Sequence, residues 1–247
     1  MAASVCGVSH ERGGMPCQDN HAYGVLRDGT LVAAVADGAG SAAISEVGAE
    51  IAARTAVEAV AGLQHLKGTP ASQQEWSEIL IGALETARSA VELEAASRNV
   101  DVRDLATTLL LVVATPGMVS AVQVGDGAIV IGAEDGTVLA LTTPQGGEFV
   151  NETSFLILPD AISRAECAHW EGKMRNLAVF SDGLQRLALR LPGGEAHAPF
   201  FSPLFKFIKD SGDDAGATEQ LASFLRSPRI TERADDDLTL LLATVTS

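Results

Sequence analysis

Cysteine is almost missing from this chain. Cys6, Cys17 and Cys167 are the only three in 247 residues, too few and too scattered for a disulfide framework or a zinc site. Reduced thiols are the expected state. Aromatic residues make up 4%, so Ala, Val and Leu must fill the core. Positive charge is scarce too: 17 Lys and Arg stand against 32 Asp and Glu, a formal net charge of −15. Nucleic acid and anionic membrane surfaces both demand basic patches, so neither is an expected partner. No apolar run approaches the ~18 residues of a bilayer span, and Met1 to Val5 lacks the basic start of a signal peptide. The chain is expected to be soluble and cytoplasmic. Its acidity is at least a solubility device.

Apolar residues reach 47% with a mean hydropathy of +0.19, enough for a sizeable core. One stretch organises the rest. Leu31 to Ala36 reads as a buried strand that runs into Asp37-Gly38-Ala39-Gly40-Ser41. A carboxylate at the edge of a core needs a partner, and that stretch contains no Lys or Arg. The pattern recurs. Leu177 to Ser181 runs into Asp182-Gly183, and Val119 to Val124 into Gly125-Asp126-Gly127. Asp235-Asp236-Asp237 leads into Leu238 to Ala243, and Gln18-Asp19-Asn20 into His21 to Leu26. In antiparallel sheets those tips can share one edge, where gathered carboxylates repel unless cations sit between them. Asp-Gly is also an ordinary turn signal, and Asp28 and Asp135 fit that reading. It does not explain why Asp37, Asp182 and Asp236 all border the most apolar strands.

In chain order, Ser4 to Ser9 reads as a short strand and His10 to Cys17 as a loop. His10 and Arg12 are either solvated there or meet an anion beside Asp19. Arg27 to Thr30 is a hairpin turn. Ser45 is expected to cap a helix with an apolar stripe of Ala49, Ala53, Ala56 and Val60. Gly68-Thr69-Pro70 breaks it. Ser72 to Glu75 has the form of a capping box for a second helix reaching about Ser97. Strands follow at Thr107–Ala114, Met118–Val124, Ala128–Ala133 and Val138–Thr142, with tight turns between them. Pro144 to Thr153 is a loop. Ala165–Trp170 and Asn176–Ser181 are strands, Leu184–Leu191 a short helix, Pro203–Lys209 and Ala217–Arg226 helices, and Leu238–Thr246 a central strand. The order predicts one α+β domain over 1–247, with two mostly antiparallel sheets packed face to face and flanked by helix pairs.

Six short motifs carry a resemblance. Gln18-Asp19, Ala36-Asp37-Gly38-Ala39-Gly40-Ser41, Ala106-Thr107-Thr108-Leu109, Val124-Gly125-Asp126, Phe180-Ser181-Asp182-Gly183-Leu184 and Asp236-Asp237-Leu238-Thr239 occur in the order found in one family. That family is the metal-dependent serine/threonine protein phosphatases of type 2C, which the chain resembles over nearly its whole length. The Gly7-Val8-Ser9-His10 start and Asn151-Glu152-Thr153-Ser154-Phe155 look like its compact bacterial branch.

The resemblance implies an α-β-β-α sandwich with two Mg²⁺ or Mn²⁺ ions at one end. Asp37 would bridge them, the Gly38 carbonyl would hold one, and Asp182 and Asp236 would bind the other. Asp19 would act beside them through bound waters, and Asp126 would serve a weaker third ion. It implies hydrolysis of phosphoserine and phosphothreonine in proteins by metal-activated water, and a Ser/Thr kinase as opposing partner. Oxygen-only ligands agree with hard cations.

Three positions depart from the family's pattern. Gly14 stands where an Arg usually clamps the phosphate, with His10 or Arg12 as substitutes. Ala39 stands where a His is frequent. Arg186 stands where an acidic third-metal ligand is frequent. These departures keep a second reading open: a catalytically weak domain of this type that binds a phosphoprotein or a kinase.

Overall fold

Along Leu31–Asp37 alternate side chains enter different cores. Val32, Ala34 and Ala36 pack beneath helices, while Ala33 and Val35 face a second sheet. A strand alternates its side chains, so a run buried on both faces belongs inside a layered sandwich. The protein's structure here is a computed structural model describing residues 1–67, 70, 72–144, 153–211 and 214–245.

The first half contains β1 (Ala2–Val5), α1 (Val8–Gly13), β2 (Asp19–Val25), β3 (Leu31–Asp37), α2 (Ser45–Lys67), α3 (Gln73–Arg98), β4 (Leu109–Thr115), β5 (Met118–Val124), β6 (Ala128–Ala133) and β7 (Val138–Ala140). Then come β8 (Glu166–Glu171), β9 (Met174–Phe180), α4 (Gln185–Ala188), β10 (Leu189–Arg190), β11 (Glu195–Ala196), α5 (Ala198–Asp210), α6 (Asp214–Leu225), α7 (Pro228–Thr231) and β12 (Leu238–Thr244).

One sheet has the order β2-β3-β4-β5-β8 and the other β1-β12-β9-β6-β7, with every neighbouring pair antiparallel. Val35, Leu110, Val112, Ile129, Val179 and Leu241 fill the space between them. The pair α2 and α3 covers the outer face of the first sheet through alanines, including Ala49, Ala53, Ala56, Ala83 and Ala87. On the second sheet, α5 and α6 supply Phe201, Phe205, Leu221 and Leu225. The expected α-β-β-α order of layers is therefore present. Among the described residues no helix is long and apolar enough to cross a membrane.

Local expectations fare unevenly. Ser72 Oγ accepts from Glu75 N at 3.2 Å, as the capping box requires. Asp28 and Asp135 are turn residues, accepting from Thr30 N at 3.0 Å and Thr137 N at 2.9 Å. Ser45 is no cap: α2 starts at it, and its buried Oγ makes no hydrogen bond. The expected strand over Ser4–Ser9 is shifted to Ala2–Val5, and part of the expected loop is the short helix α1. The cause is distant: Gly7 N donates to Asp237 Oδ1 at 2.6 Å and Ser9 N to Asp235 O at 3.0 Å.

β4 begins at Leu109, and Thr107 pairs with Gly38 only as an isolated antiparallel bridge. The expected helix Leu184–Leu191 shrinks to four residues before β10 pairs with β11. α5 starts earlier than Pro203, with Pro199 in its first turn and buried Phe201, Leu204, Phe205 and Ile208 at helical spacing. Gly68 and Thr69 of the break, residues 145–152 of the loop, and Thr246 lie outside the described residues.

Candidate metal centre and its cleft

Strand pairing alone brings the first two acids together. β2 and β3 align so that Asp19 faces Asp37. The Asp37 backbone is fixed by Thr107 and Thr108: Thr108 N and Thr107 Oγ1 donate to Asp37 O at 2.8 and 3.0 Å, and Asp37 N donates to Thr108 Oγ1 at 2.9 Å. Gly38 N donates to Gln18 O at 3.1 Å. A Cβ on Gly38 would lie 2.7 Å from Gln18 O and from Ser45 Cβ, so only glycine fits this approach.

Asp126 follows β5. Thr153 Oγ1 donates to its Oδ2 at 2.8 Å, and the Gln185 side-chain amide donates to its carbonyl. Asp182 follows β9 in a single 3₁₀ turn, Asp182–Leu184. Each of Asp37, Asp126 and Asp182 offers a carboxylate oxygen within 4.8 Å of the other two. Asp19 lies buried beside them, with Ser181 Oγ donating to its Oδ2 at 2.6 Å.

Crowding acids in a low-dielectric place opposes their ionisation. Burial pushes Asp19 up to about 8; hydrogen bonds from Ser181 and Thr239 counter it, and the charges of Asp237 and Asp182 add to it. Asp37 is raised well above the carboxylate range by burial, then by Asp19 and Asp182. Burial takes Asp182 up to about 6, a hydrogen bond with Asp37 pulls it back, and Asp126 and Asp236 push it up. Asp126 is raised by burial and eased by Thr153. Two buried oxygens, Asp19 Oδ1 and Asp126 Oδ1, have no hydrogen-bond partner. Among the described residues no Lys or Arg pairs with any of these four acids.

A hard divalent cation fits such a donor set: several carboxylate oxygens, some unsatisfied. The nearby thiol does not compete. Cys17 Sγ donates to Asp19 O at 3.7 Å, and burial raises its pKa, which keeps it protonated.

The other site candidates separate. Asp236 is exposed at the edge of the cluster, its Oδ1 accepting from Asp237 N at 2.8 Å and lying 3.9 Å from His10 Nε2. Its charge still acts on Asp182 and Asp126. Its neighbour Asp237, to which the sequence reading gave no role, is buried. Asp237 accepts from Gly7 N at 2.6 Å and Gln18 N at 2.5 Å, and its Oδ2 lies 3.0 Å from His10 Nδ1. That last contact is not a hydrogen bond, and His10 Nδ1 is buried without a hydrogen-bond partner. His10 is thus buried between the two aspartates. Arg12 is exposed at the end of α1 and makes no ion pair among the described residues.

A cleft of about 730 Å³ opens over the acids. Asp126, Asp182 and Asp236 line it together with Arg186 and Arg233. Sequence reasoning registered Arg186 only as a missing acid and passed over Arg233. The available signal was spacing: each lies within four residues of a site aspartate.

Comparisons with known proteins agree on one family. Residues 6–226 match the family model described as protein phosphatase 2C. The chain is similar to serine/threonine-protein phosphatase 3 of Escherichia coli (strain K12), 35% identical over 253 residues, covering 98% of this chain and 96% of that protein. Among solved structures, it resembles the S. agalactiae serine/threonine phosphatase with a TM-score of 0.65 at 14% identity, covering 99% of each chain. It also resembles the catalytic domain of the serine/threonine protein phosphatase PstP in complex with 2 manganese ions. There the TM-score is 0.63 at 16% identity, over 100% of this chain and 97% of that one. At such identities these two likenesses speak for the fold.

Proposed function

We infer the details of the chemistry from one premise: the chain belongs to the protein phosphatase 2C family and is a metal-dependent serine/threonine protein phosphatase. Its substrates are phosphorylated proteins. The observation that carries the reading is the carboxylate cluster of Asp37, Asp126 and Asp182, with oxygens within 4.8 Å of one another.

Our proposal is that two Mg²⁺ or Mn²⁺ ions occupy this cluster. Asp37, the Gly38 carbonyl, Asp182 and Asp236 would hold them. Bound there, the ions would supply an activated water and neutralise phosphate charge. Asp19, held by Ser181, would orient water through its open Oδ1. Asp126, with one oxygen taken by Thr153 and one open, is the acid left for a weaker third ion. His10 would be a positioning residue, fixing Asp236 from its seat on Asp237. Arg12 has no described contact that supports the anion-binding role expected of it.

We further propose that residues 1–247 act as a single domain, that the chain works in the cytoplasm, and that a Ser/Thr kinase opposes it. The kinase rests on family resemblance alone. Turnover of 4-nitrophenyl phosphate, with and without Mn²⁺, tests the enzymatic reading. We expect metal-dependent turnover that Asp37→Asn abolishes. Turnover at background, with a phosphopeptide still bound, would favour the second reading of a weak binding module, which Gly14, Ala39 and Arg186 motivate.

A further inference from the structure

Two arginines on the wall of the cleft have no structural employment. Arg186 and Arg233 are both exposed, line the cleft, and form no ion pair among the described residues. They are the only Lys or Arg among the described residues that line it.

Their placement is defined by the centre itself. Arg186 sits four residues after Asp182, on the short α4 whose first residue, Gln185, grips the Asp126 carbonyl. Arg233 sits three residues before Asp236, in the turn that closes α7, where its N–H donates to Ile230 O at 2.9 Å. Each guanidinium is therefore tied through a few residues of backbone to an acid of the centre.

A phosphate monoester approaching this cleft meets Asp126, Asp182, Asp235 and Asp236. Charge repulsion has to be offset, and the protein's own cations able to do so are those two. A guanidinium offers a planar fork that matches phosphate oxygens. We propose that Arg186 and Arg233 form the phosphate clamp of this enzyme, holding the phosphoryl oxygens of the substrate over the acids. The proposal rests on the phosphatase reading above. It also accounts for a chain that carries Gly14, and not Arg, beside α1.

The test compares wild type with Arg186→Gln, Arg233→Gln, the double variant and Arg186→Lys, with Arg54→Gln on the distant α2 as control. It reads KM and kcat for 4-nitrophenyl phosphate and the inhibition constant of inorganic phosphate, all with Mn²⁺. Each glutamine variant should raise KM and the phosphate inhibition constant by about tenfold, the worth of one charge-assisted hydrogen bond. The double variant should exceed either, with kcat changed less than KM and the melting temperature unmoved. Arg186→Lys should fall between, having charge without the fork. Values in the double variant equal to wild type overturn the clamp, and a rise in one single variant alone overturns the pairing. A defect confined to phosphopeptides with acidic flanks also overturns it, because the arginines would then read the peptide. Failure of the wild type to turn over would instead sink the phosphatase reading. Calorimetric titration of inorganic phosphate into Mn²⁺-loaded wild type and double variant then decides the clamp independently.

Discussion

Asp19 beneath the cleft is 4% exposed, and its Oδ1 has no partner. Arg186 and Arg233 on the wall above are exposed to water. The two regions answer to different demands. Buried acids lose their hydration and push on one another, so the floor is strained until something from outside satisfies it. The arginines are satisfied by water alone and wait at no cost. Floor residues should thus trade stability for activity when altered, whereas wall residues should change substrate affinity and little else.

The sharpest break of that contrast is Asp37→Asn. Removing one buried charge should cut metal-dependent turnover by at least about 10³-fold. The same change should leave the metal-free protein as stable as wild type or more so, in urea denaturation with chelator. A loss of folding would contradict the view that the floor is strained.

Next in size is Asp237→Ala. This acid lies beside the floor but is fully employed by Gly7, Gln18 and His10. Its removal should destabilise the protein by about 3 kcal/mol, the cost of orphaning charged hydrogen bonds. Urea denaturation checks this. Asp236→Ala, exposed on the same turn, should cost far less stability.

The pH dependence sharpens the same contrast. Folded Asp182 and Asp19 titrate near 6 and 8, above the ~3.9 of an unfolded aspartate. The folded state therefore holds more protons than the unfolded one between those values. Stability of the metal-free protein should fall as pH rises from about 4 to about 8. Bound Mn²⁺ should reverse the loss, so its shift in melting temperature should be larger at pH 8 than at pH 6. The smallest effect belongs to the wall: Arg186→Gln and Arg233→Gln should each move stability by less than about 0.5 kcal/mol.

Much of this arrangement was readable from residues. The apolar runs ending in Asp37, Asp126 and Asp182 are each buried on both faces, which marks a strand whatever its partners. Their acids fall at the tips, and antiparallel pairing gathers the tips. Register was harder. Asp235-Asp236-Asp237 offers three acids at one strand entry, and a shift of one residue reverses which points inward. Only the contacts from Gly7 and Gln18 choose Asp237 for the interior and leave Asp236 at the edge. The helix α1 was hidden for the same reason, since what fixes its entry lies at the far end of the chain. Arg186 and Arg233 carry no pattern of their own. Their meaning depends on a cleft whose wall comes from distant segments.

Growing crystals of the protein in Mn²⁺ and collecting anomalous scattering at the manganese edge tests the central claim most directly. The account predicts a pair of peaks, with oxygens of Asp37 and Asp182 within about 2.5 Å of them. An absence of peaks at these acids, with ordered Mn²⁺ elsewhere or none at all, would contradict it.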